Sequence, residues 1–266
     1  MTNLGEILRK KSAELENARM KVPVAMLERS RYFSRRTTSL TRSILDPQRT
    51  SVIAEFKRRS PSLGPINECA SVIEVTTGYS FHGASGLSVL TDSYFFGGSA
   101  TDLASAREAN SIPVLRKDFI IDEYQVVESK AMGADAILLI AAALEPKDLA
   151  RLARLARSFG LQVLMEIHNE EEINYINEFV DIVGVNNRDL STFKVDTDLS
   201  LRLSVRIPRN ILRISESGIS SPDIIRELKD AGYNGFLIGE AFMKCNDPVS
   251  AFRDFVLQIK TDENES

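Results

Sequence analysis

Residue types that often carry metal or nucleophilic chemistry are scarce in this 266-residue chain, which has no tryptophan, two cysteines and two histidines. Cys69 and Cys245 cannot form a disulfide framework and lie outside any CxxC pattern, so we interpret both as packing residues. His82 and His168 are far apart and not at metal-ligand spacing, which argues against a zinc site or a Ser-His-Asp triad. We therefore expect any catalysis to use Lys, Glu, Asn and Ser.

Long apolar runs are also missing. No uncharged apolar stretch approaches the roughly 20 residues of a membrane helix, and the N-terminus has no apolar signal core. We therefore expect no membrane partner and a cytoplasmic location. Apolar residues make up 43% of the chain and charged residues 26%, which is typical of a globular domain and argues against disorder or low-complexity repeats.

Basic charge is concentrated near the N-terminus. Residues 1–60 contain 14 Lys and Arg against 6 Asp and Glu, and the rest of the chain contains 19 against 31. A solvated helical face is the simplest interpretation, and a basic rim that attracts an anionic small substrate is another. A nucleic-acid surface is disfavoured, because the remainder is acidic and no recognition motif is present. That surface would use Arg29, Arg31, Tyr32, Phe33, Arg35 and Arg36.

Short apolar runs alternate with amphipathic, helix-like segments from about residue 51 onward. Near-continuous apolar strands are typical of parallel sheets that helices cover on both faces. Eight such β-then-α units predict an α/β fold, a (β/α)8 TIM barrel over residues 51–260. An open Rossmann-type sheet would have a GxGxxG turn after an early strand, and the chain has none. The strands are expected to end near residues 57, 91, 117, 141, 166, 186, 216 and 238.

Residues 1–50 do not follow the repeat and form a predicted N-terminal helical extension packed on the barrel, within a single domain overall. Their pattern predicts one or two helices, over about residues 3–20 and 23–30, and then a turn at Asp46-Pro47. The extension either caps the bottom of the barrel or forms a lid near its mouth. Its basic charge favours the lid.

Ionisable residues lie at the predicted strand ends, where the active sites of such barrels are found. Side chains alternate along a strand, so Glu55 and Lys57 face the same side. A buried carboxylate beside a buried ammonium is costly unless both are paired or solvated by a ligand, so a structural ion pair is one interpretation. Lys117 and Glu166 repeat the pattern on two further strands, and four such groups at one mouth favour acid–base catalysis.

Glycine-containing turns follow the last two strands. Ser217 and Gly218 lie in one turn, and Gly239 and Glu240 in the other. Barrels commonly bind phosphate here through backbone N–H groups, although glycine also serves the turn itself. The Glu240 carboxylate would repel a phosphate unless it points away.

Eight sequence blocks, in their order and spacing, resemble the indole-3-glycerol phosphate synthase family across essentially the whole chain. The resemblance implies a carbon–carbon lyase (carboxy-lyase) of tryptophan biosynthesis that needs no metal and no organic cofactor. Its reaction closes a ring in 1-(2-carboxyphenylamino)-1-deoxyribulose 5-phosphate, with loss of CO2 and water, to give indole-3-glycerol phosphate. The blocks are AEFKRRSPSLGPI, SVLTDSYFFGGS, PVLRKDFIIDEYQV, GADAILLIAA, LMEIH, VGVNNRDLSTFKVD, SESGI and FLIGEAFM.

The resemblance also implies catalytic roles. Lys117 matches the general acid of ring closure and Glu166 an acid or base of the dehydration. Glu55 and Lys57 match partners that orient these two residues and share protons with them. Which lysine acts at which step stays open.

Asn186 and Ser217 resemble residues that hydrogen-bond substrate hydroxyls or the carboxylate. Arg188 resembles a nearby guanidinium, for which pairing with Glu55 or Glu216 is as good an interpretation as direct contact, and Glu216 is itself predicted to bind substrate.

The implied substrate has a phosphate at one end and an aromatic ring at the other. Arg59 is expected to supply positive charge to the phosphate. The residues expected around the phosphate are Ser60, Gly218, Gly239 and Glu240. The apolar slot for the ring is expected from Pro61, Phe96, Phe119, Leu138, Leu190 and Ile219, although core packing explains Leu138 equally well.

Some positions depart from the family pattern or match nothing in it. Leu63 stands where many relatives have lysine, and Glu240 replaces the serine of some relatives. His82 and His168 match no catalytic position and are interpreted as structural or exposed. The expected partner is a small phosphorylated substrate, with no nucleic acid, for a monomer that has at most transient contact with other tryptophan-pathway enzymes.

Two other functions are weighed against this one. A sister barrel, the phosphoribosylanthranilate isomerase type, would use a Cys/Asp pair where this chain has Glu55, Lys57 and Lys117. A non-catalytic phosphate-binding barrel would gain nothing from keeping buried charges, but the fold alone does not exclude it.

Overall fold

The barrel consists of eight parallel strands, and the computed structural model describes residues 4–190 and 192–264. Each strand pairs with its neighbours in chain order, and the last pairs with the first. The predicted (β/α)8 barrel is confirmed, and every strand ends within one residue of its predicted end. The strands are β1 (Val52–Phe56), β2 (Gly86–Leu90), β3 (Val114–Lys117), β4 (Ala136–Ile140), β5 (Gln162–Ile167), β6 (Ile182–Asn186), β7 (Leu212–Glu216) and β8 (Gly235–Ile238).

Helices connect most of the strands and form the outer layer. They are α1 (Leu4–Lys21), α2 (Val24–Leu27), α3 (Leu40–Ile44), α4 (Val72–Phe81), α5 (Ala100–Ala109), α6 (Glu123–Met132), α7 (Pro146–Ser158), α8 (Asp198–Ser204), α9 (Pro222–Asp230), α10 (Glu240–Met243) and α11 (Pro248–Asn264). Several begin where the sequence supplies a side-chain cap; Ser99 and Asp122, for example, accept hydrogen bonds from the first turns of α5 and α6. No described helix is long and apolar enough to cross a membrane.

Two local predictions are wrong. The segment between β5 and β6 is one of the predicted helix-like segments, but it forms only a 3-10 helix, Glu171–Tyr175. The Glu172 carboxylate accepts a hydrogen bond from the backbone N–H of His168, which ties this turn to β5. Cys69 is exposed, so it is not a packing residue. The loop that contains it follows a short hairpin after β1, in which residues 59–60 pair with 64–65.

Alternating side chains of the strands divide the apolar core into two parts. Residues such as Ile53, Leu138 and Leu237 point into the barrel, and residues such as Val52 and Leu139 pack under the outer helices. All of these side chains are buried. This double burial is the physical reason that most strands are rich in apolar residues.

The N-terminal extension reaches both ends of the barrel. Leu4 and Ile7 of α1 line a cavity at the mouth. Leu40 and Ile44 of α3 are fully buried at the opposite end, the bottom of the barrel. Side chains at Gly86 and Gly235 would collide with them, because a Cβ would lie 2.6 Å from Leu40 Cδ1 and 2.9 Å from Ile44 Cγ2 respectively. Both predicted positions of the extension, at the bottom and near the mouth, therefore occur.

Acidic residues of the barrel accept much of the extension's basic charge. The guanidinium of Arg31 lies 2.7 Å from Glu108, and that of Arg35 lies 2.7 Å from Asp135. The opposite charges of the two parts of the chain are thus paired across their contact.

Candidate active site

Five ionisable side chains converge at the mouth, on the carboxyl ends of alternate strands. Glu55, Lys117, Glu166 and Glu216 come from β1, β3, β5 and β7, and Lys57 follows β1 directly. They line one cavity. Residues on alternate strands of such a barrel face inward in the same layer, which explains why the charges of β1, β3, β5 and β7 meet at one cavity.

The predicted site residues, with the exception of Arg59, line this cavity. Arg59 lies in the short hairpin after β1, and its side chain packs beside Gly97. Its neighbour Ser60 faces the cavity and is buried. Successive residues of a strand face opposite sides, so the two cannot both point at the cavity.

Lys117 is held between two carboxylates. Its Nζ lies 2.7 Å from Glu166 Oε2 and 2.7 Å from Glu216 Oε2. Lys57 and Glu55 form a second pair, with 2.9 Å between Nζ and Oε1. Three carboxylates thus share two ammonium groups, and the second oxygen of Glu216, Oε1, is buried without a hydrogen-bond partner among the described residues.

Burial and mutual contact shift the pKa values of these groups in different directions. Burial opposes the charged form of Lys117, but Glu166, Glu216 and Glu55 outweigh it and raise the pKa of this lysine. Burial also opposes the charged form of Glu166, but Lys117 and His168 lower its pKa. Burial raises the pKa of Glu216, and the charge of Glu166 adds to that effect. In this cluster Lys117 is therefore protonated, Glu166 is ionised, and Glu216 readily takes up a proton.

Two further side chains hold Glu166 in place. Asn186 Nδ2 donates a hydrogen bond to Glu166 Oε1 at 3.1 Å. His168 Nε2 lies 3.3 Å from the same oxygen, and its Nδ1 lies 3.7 Å from Glu172 Oε2. Burial lowers the pKa of His168, but these two carboxylates outweigh burial and raise it to about 9.

His168 thus lies largely buried beside a predicted catalytic residue, which its sequence context did not indicate. Alternation along β5 is the signal that could have found it, because residues 166 and 168 are two apart.

Arg188 joins three loops at the rim of the cavity. Its guanidinium contacts Glu240 Oε2 at 2.8 Å and Ser62 Oγ at 3.4 Å, and it donates to the carbonyl of Phe193 at 3.2 Å. The structure thus pairs Arg188 with Glu240 rather than with Glu55 or Glu216. This pairing neutralises the carboxylate that would otherwise repel a phosphate.

The turn after β7 needs its glycine. Ser217 and Gly218 both have positive φ, of 66° and 78°. A Cβ on Gly218 would lie 2.5 Å from Val195 Cγ1, so a side chain there would collide as well as strain the backbone. The turn therefore exposes its backbone to the cavity.

An apolar wall faces the glycine turns. The rings of Phe96 and Phe119 lie 6.1 Å apart, centroid to centroid, and form part of this wall. Several apolar residues that were not predicted also line the cavity, among them Leu4 and Ile7 of α1, and Phe193. The i, i+3 spacing of Leu4 and Ile7 marks one helix face but does not indicate what that face covers.

Comparisons with known proteins agree with this geometry. The family model of indole-3-glycerol phosphate synthase matches residues 4–255. The indole-3-glycerol phosphate synthase of Bacteroides thetaiotaomicron is 44% identical over 257 residues, which cover 97% of this chain and 98% of that protein. The corresponding protein of Chromobacterium violaceum is 47% identical over 204 residues, which cover 76% and 77%.

Two solved structures are similar in fold at much lower identity. A chain of the tryptophan synthase a2b2 complex from Pyrococcus furiosus superposes with a TM-score of 0.58 at 16% identity, over 79% of this chain and 97% of that chain. A structure described as native KDPGal gives a TM-score of 0.56 at 15% identity, over 80% and 94%. These two matches show a shared fold only.

The family match and the curated relatives confirm the prediction made from the eight sequence blocks. The matches cover nearly the whole chain, and the residues that carry the resemblance lie together around one cavity. The chain belongs to the indole-3-glycerol phosphate synthase family, carboxy-lyases of tryptophan biosynthesis.

Proposed function

We propose that this protein closes the ring of 1-(2-carboxyphenylamino)-1-deoxyribulose 5-phosphate to give indole-3-glycerol phosphate, CO2 and water. The observation that carries the proposal is the placement of Lys117. Its ammonium lies 2.7 Å from each of two buried carboxylates, at a cavity with an apolar wall on one side and glycine turns on the other. Such a site suits a substrate with an aromatic ring and a phosphate.

The two ends of the substrate orient it. The aromatic ring packs against Phe96 and Phe119. The phosphate lies near Ser60 and the turns at Gly218 and Gly239, whose backbone N–H groups donate to it. Other residues predicted for the ring are Pro61, Leu138, Leu190 and Ile219, and all four line the cavity.

Ring closure needs an acid at the ketone oxygen. Lys117 keeps its proton at neutral pH because the glutamates around it raise its pKa, so it can donate to that oxygen. The aromatic carbon bearing the carboxylate then forms a bond to the ketone carbon, and the carbonyl electron pair takes the proton from Lys117. Glu216, whose pKa is raised, can return a proton to Lys117.

Two losses restore the aromatic system. The bond to the carboxylate breaks, CO2 leaves, and the electron pair returns to the ring. The hydroxyl made from the ketone then leaves as water while the neighbouring ring carbon loses a proton. Glu166 suits an acid–base role in this dehydration because Lys117, Asn186 and His168 hold it. Lys57 and Glu55 form the second ion pair that orients the cluster.

We further propose that the protein acts as a monomer on a small phosphorylated molecule. We include a cytoplasmic location and only transient contact with other enzymes of the pathway.

The test is the appearance of indole fluorescence when the purified protein meets 1-(2-carboxyphenylamino)-1-deoxyribulose 5-phosphate. The chain has no tryptophan, so the product signal has no indole background from the protein. We expect fluorescence to grow with time, at the same rate with and without a metal chelator. Binding of indole-3-glycerol phosphate without turnover of the substrate would instead indicate a non-catalytic barrel.

A further inference from the structure

Lys11 is a buried lysine in the middle of α1, outside the catalytic cluster. Its side chain is only 6% exposed. Its Nζ lies 2.8 Å from Asp92 Oδ2, 2.9 Å from Asp118 Oδ1 and 2.9 Å from Glu14 Oε2. Asp92 and Asp118 are themselves almost fully buried. Burial opposes the charge of Lys11, but these carboxylates raise its pKa, so the ammonium keeps its proton. These ion pairs are buried, and they therefore differ from exposed ion pairs, which contribute little to stability.

Each of the two aspartates organises a loop of the cavity wall. Asp92 follows β2, and its Oδ1 accepts a hydrogen bond from the backbone N–H of Phe95 at 2.7 Å, which fixes the loop that contains Phe96. Asp118 comes directly after Lys117, and its Oδ1 accepts from the backbone N–H of Phe119 at 2.8 Å. Lys11 therefore bridges the loops after β2 and β3, which carry the two aromatic rings of the wall.

The helix face that contains Lys11 also reaches the cavity. Leu4 and Ile7 precede Lys11 by seven and four residues, so all three lie on the same face of α1. Leu4 and Ile7 line the cavity, and Ile7 packs in the same buried cluster as Phe119. The position of Lys11 thus sets the position of this part of the wall.

We propose that Lys11 is a positioning residue for the reaction, which joins α1 to the loops of Phe96 and Phe119 and so shapes the apolar slot. The proposal rests on the proposed function, because the slot is assigned to the aromatic ring of that substrate. Lys11 does not touch the reacting atoms. Its loss should therefore weaken binding of ring-containing ligands more than it slows the chemical steps.

The test compares Lys11→Met, the double variant Lys11→Met/Asp92→Asn and wild-type protein. The double variant removes both charges of one pair, and the amide introduced by Asp92→Asn keeps an Oδ1 acceptor for the Phe95 N–H, so this variant stays folded even if the single variant does not. We expect the KM of the double variant to rise about tenfold while kcat changes less than about threefold. The dissociation constant of indole-3-glycerol phosphate, titrated by its fluorescence, should rise in parallel.

Three control variants test whether the effect depends on the position and the charge of Lys11 and on the helix face that contains it. Lys21→Met, at an exposed position of the same helix, should leave KM unchanged. Lys11→Arg keeps a cation at the bridge and should recover most of the affinity. Ile7→Ala should raise KM without altering the ion pairs. A folded double variant with wild-type KM and wild-type product affinity would overturn the role of Lys11. Wild-type protein that binds the product but never turns over the substrate would overturn the proposed function instead.

Discussion

The two ends of the barrel treat a buried carboxylate in opposite ways. At the bottom, Asp135 accepts hydrogen bonds from the guanidinium groups of Arg35 and Arg107, each at 2.7 Å. It also accepts from the backbone N–H groups of Thr38 and Val114, at 2.7 and 2.9 Å. Both of its oxygens are thus fully engaged, with two cations for one negative charge.

At the mouth the balance is reversed. Glu216 is as deeply buried as Asp135, but within the described part of the chain it accepts one hydrogen bond, from Lys117, and its Oε1 accepts none. Lys117 is shared with a second carboxylate, that of Glu166. A saturated buried carboxylate holds the fold in one arrangement, whereas an unsaturated one keeps a shifted pKa and an open oxygen for a ligand. The bottom of the barrel is thus its stabilising end, and the mouth is its reactive end.

The largest expected effect is on catalysis, at the mouth. Lys117→Met removes the proton that the ketone oxygen needs, so kcat should fall by about 10³-fold, within the usual range for a general acid. The measurement is the rate of indole fluorescence at saturating substrate. Affinity for indole-3-glycerol phosphate should stay close to that of the wild type, which shows that the cavity is intact. Unchanged turnover would remove Lys117 from the mechanism.

The next effect is on stability, at the bottom. Asp135→Asn places an amide N–H2 against one of the two guanidinium groups and leaves both cations uncompensated, so the free energy of unfolding should fall by about 3 kcal/mol. Urea denaturation measures it. The control is Asp122→Asn, which changes the half-exposed partner of Arg19 but keeps a helix cap, and should cost less than about 1 kcal/mol. Equal losses in the two variants would mean that burial of Asp135 adds nothing.

The smallest expected effect is a gain in stability, from a substitution of Glu216 at the mouth. The pKa of Glu216 is raised in the folded protein above its ordinary value of 4.5, so the group favours folding while it is protonated and this contribution is lost as pH rises through the folded pKa. Glu216→Gln imitates the protonated form and should raise the free energy of unfolding at pH 8 by about 1–2 kcal/mol, with a smaller gain at pH 5. Urea denaturation at both pH values is the measurement.

A loss of stability in Glu216→Gln at pH 8 would contradict the contrast between the two ends. A gain in stability together with a lower kcat/KM would support this contrast, because it would show that the ionisable Glu216 serves activity and lowers stability.

Sequence patterns predicted the barrel well because periodicity is local. Each strand is recognised from a short run of four to six residues that is rich in apolar side chains, and each helix from its own spacing and cap. The ionisable residues predicted for the site follow strand ends, and they line one cavity because parallel strands bring their carboxyl ends to one edge. Arg59 shows the limit of this reasoning, because the short hairpin after β1 turns its side chain away from the cavity. Nothing in the single-strand pattern predicts that hairpin.

Ion pairing was less predictable. Glu55 and Glu216 were the two predicted acidic partners of Arg188, but the structure pairs it with Glu240, 52 residues away in the chain. The alternatives, Glu55 and Glu216, are instead engaged with Lys57 and Lys117. The charge of Arg188 does not by itself indicate its partner when several carboxylates lie at one mouth. The pairing depends on which of these carboxylates already contact a lysine.

The sequence by itself determined the eight β-then-α units, the family and the set of ionisable groups at the mouth. Tertiary structure alone decided that the N-terminal extension both seals the bottom with Leu40 and Ile44 and reaches the mouth with α1. It also decided that Lys11 meets Asp92 and Asp118, which lie on other elements far along the chain. Secondary structure depends on neighbours a few residues apart, whereas burial of a charge depends on every element packed around it.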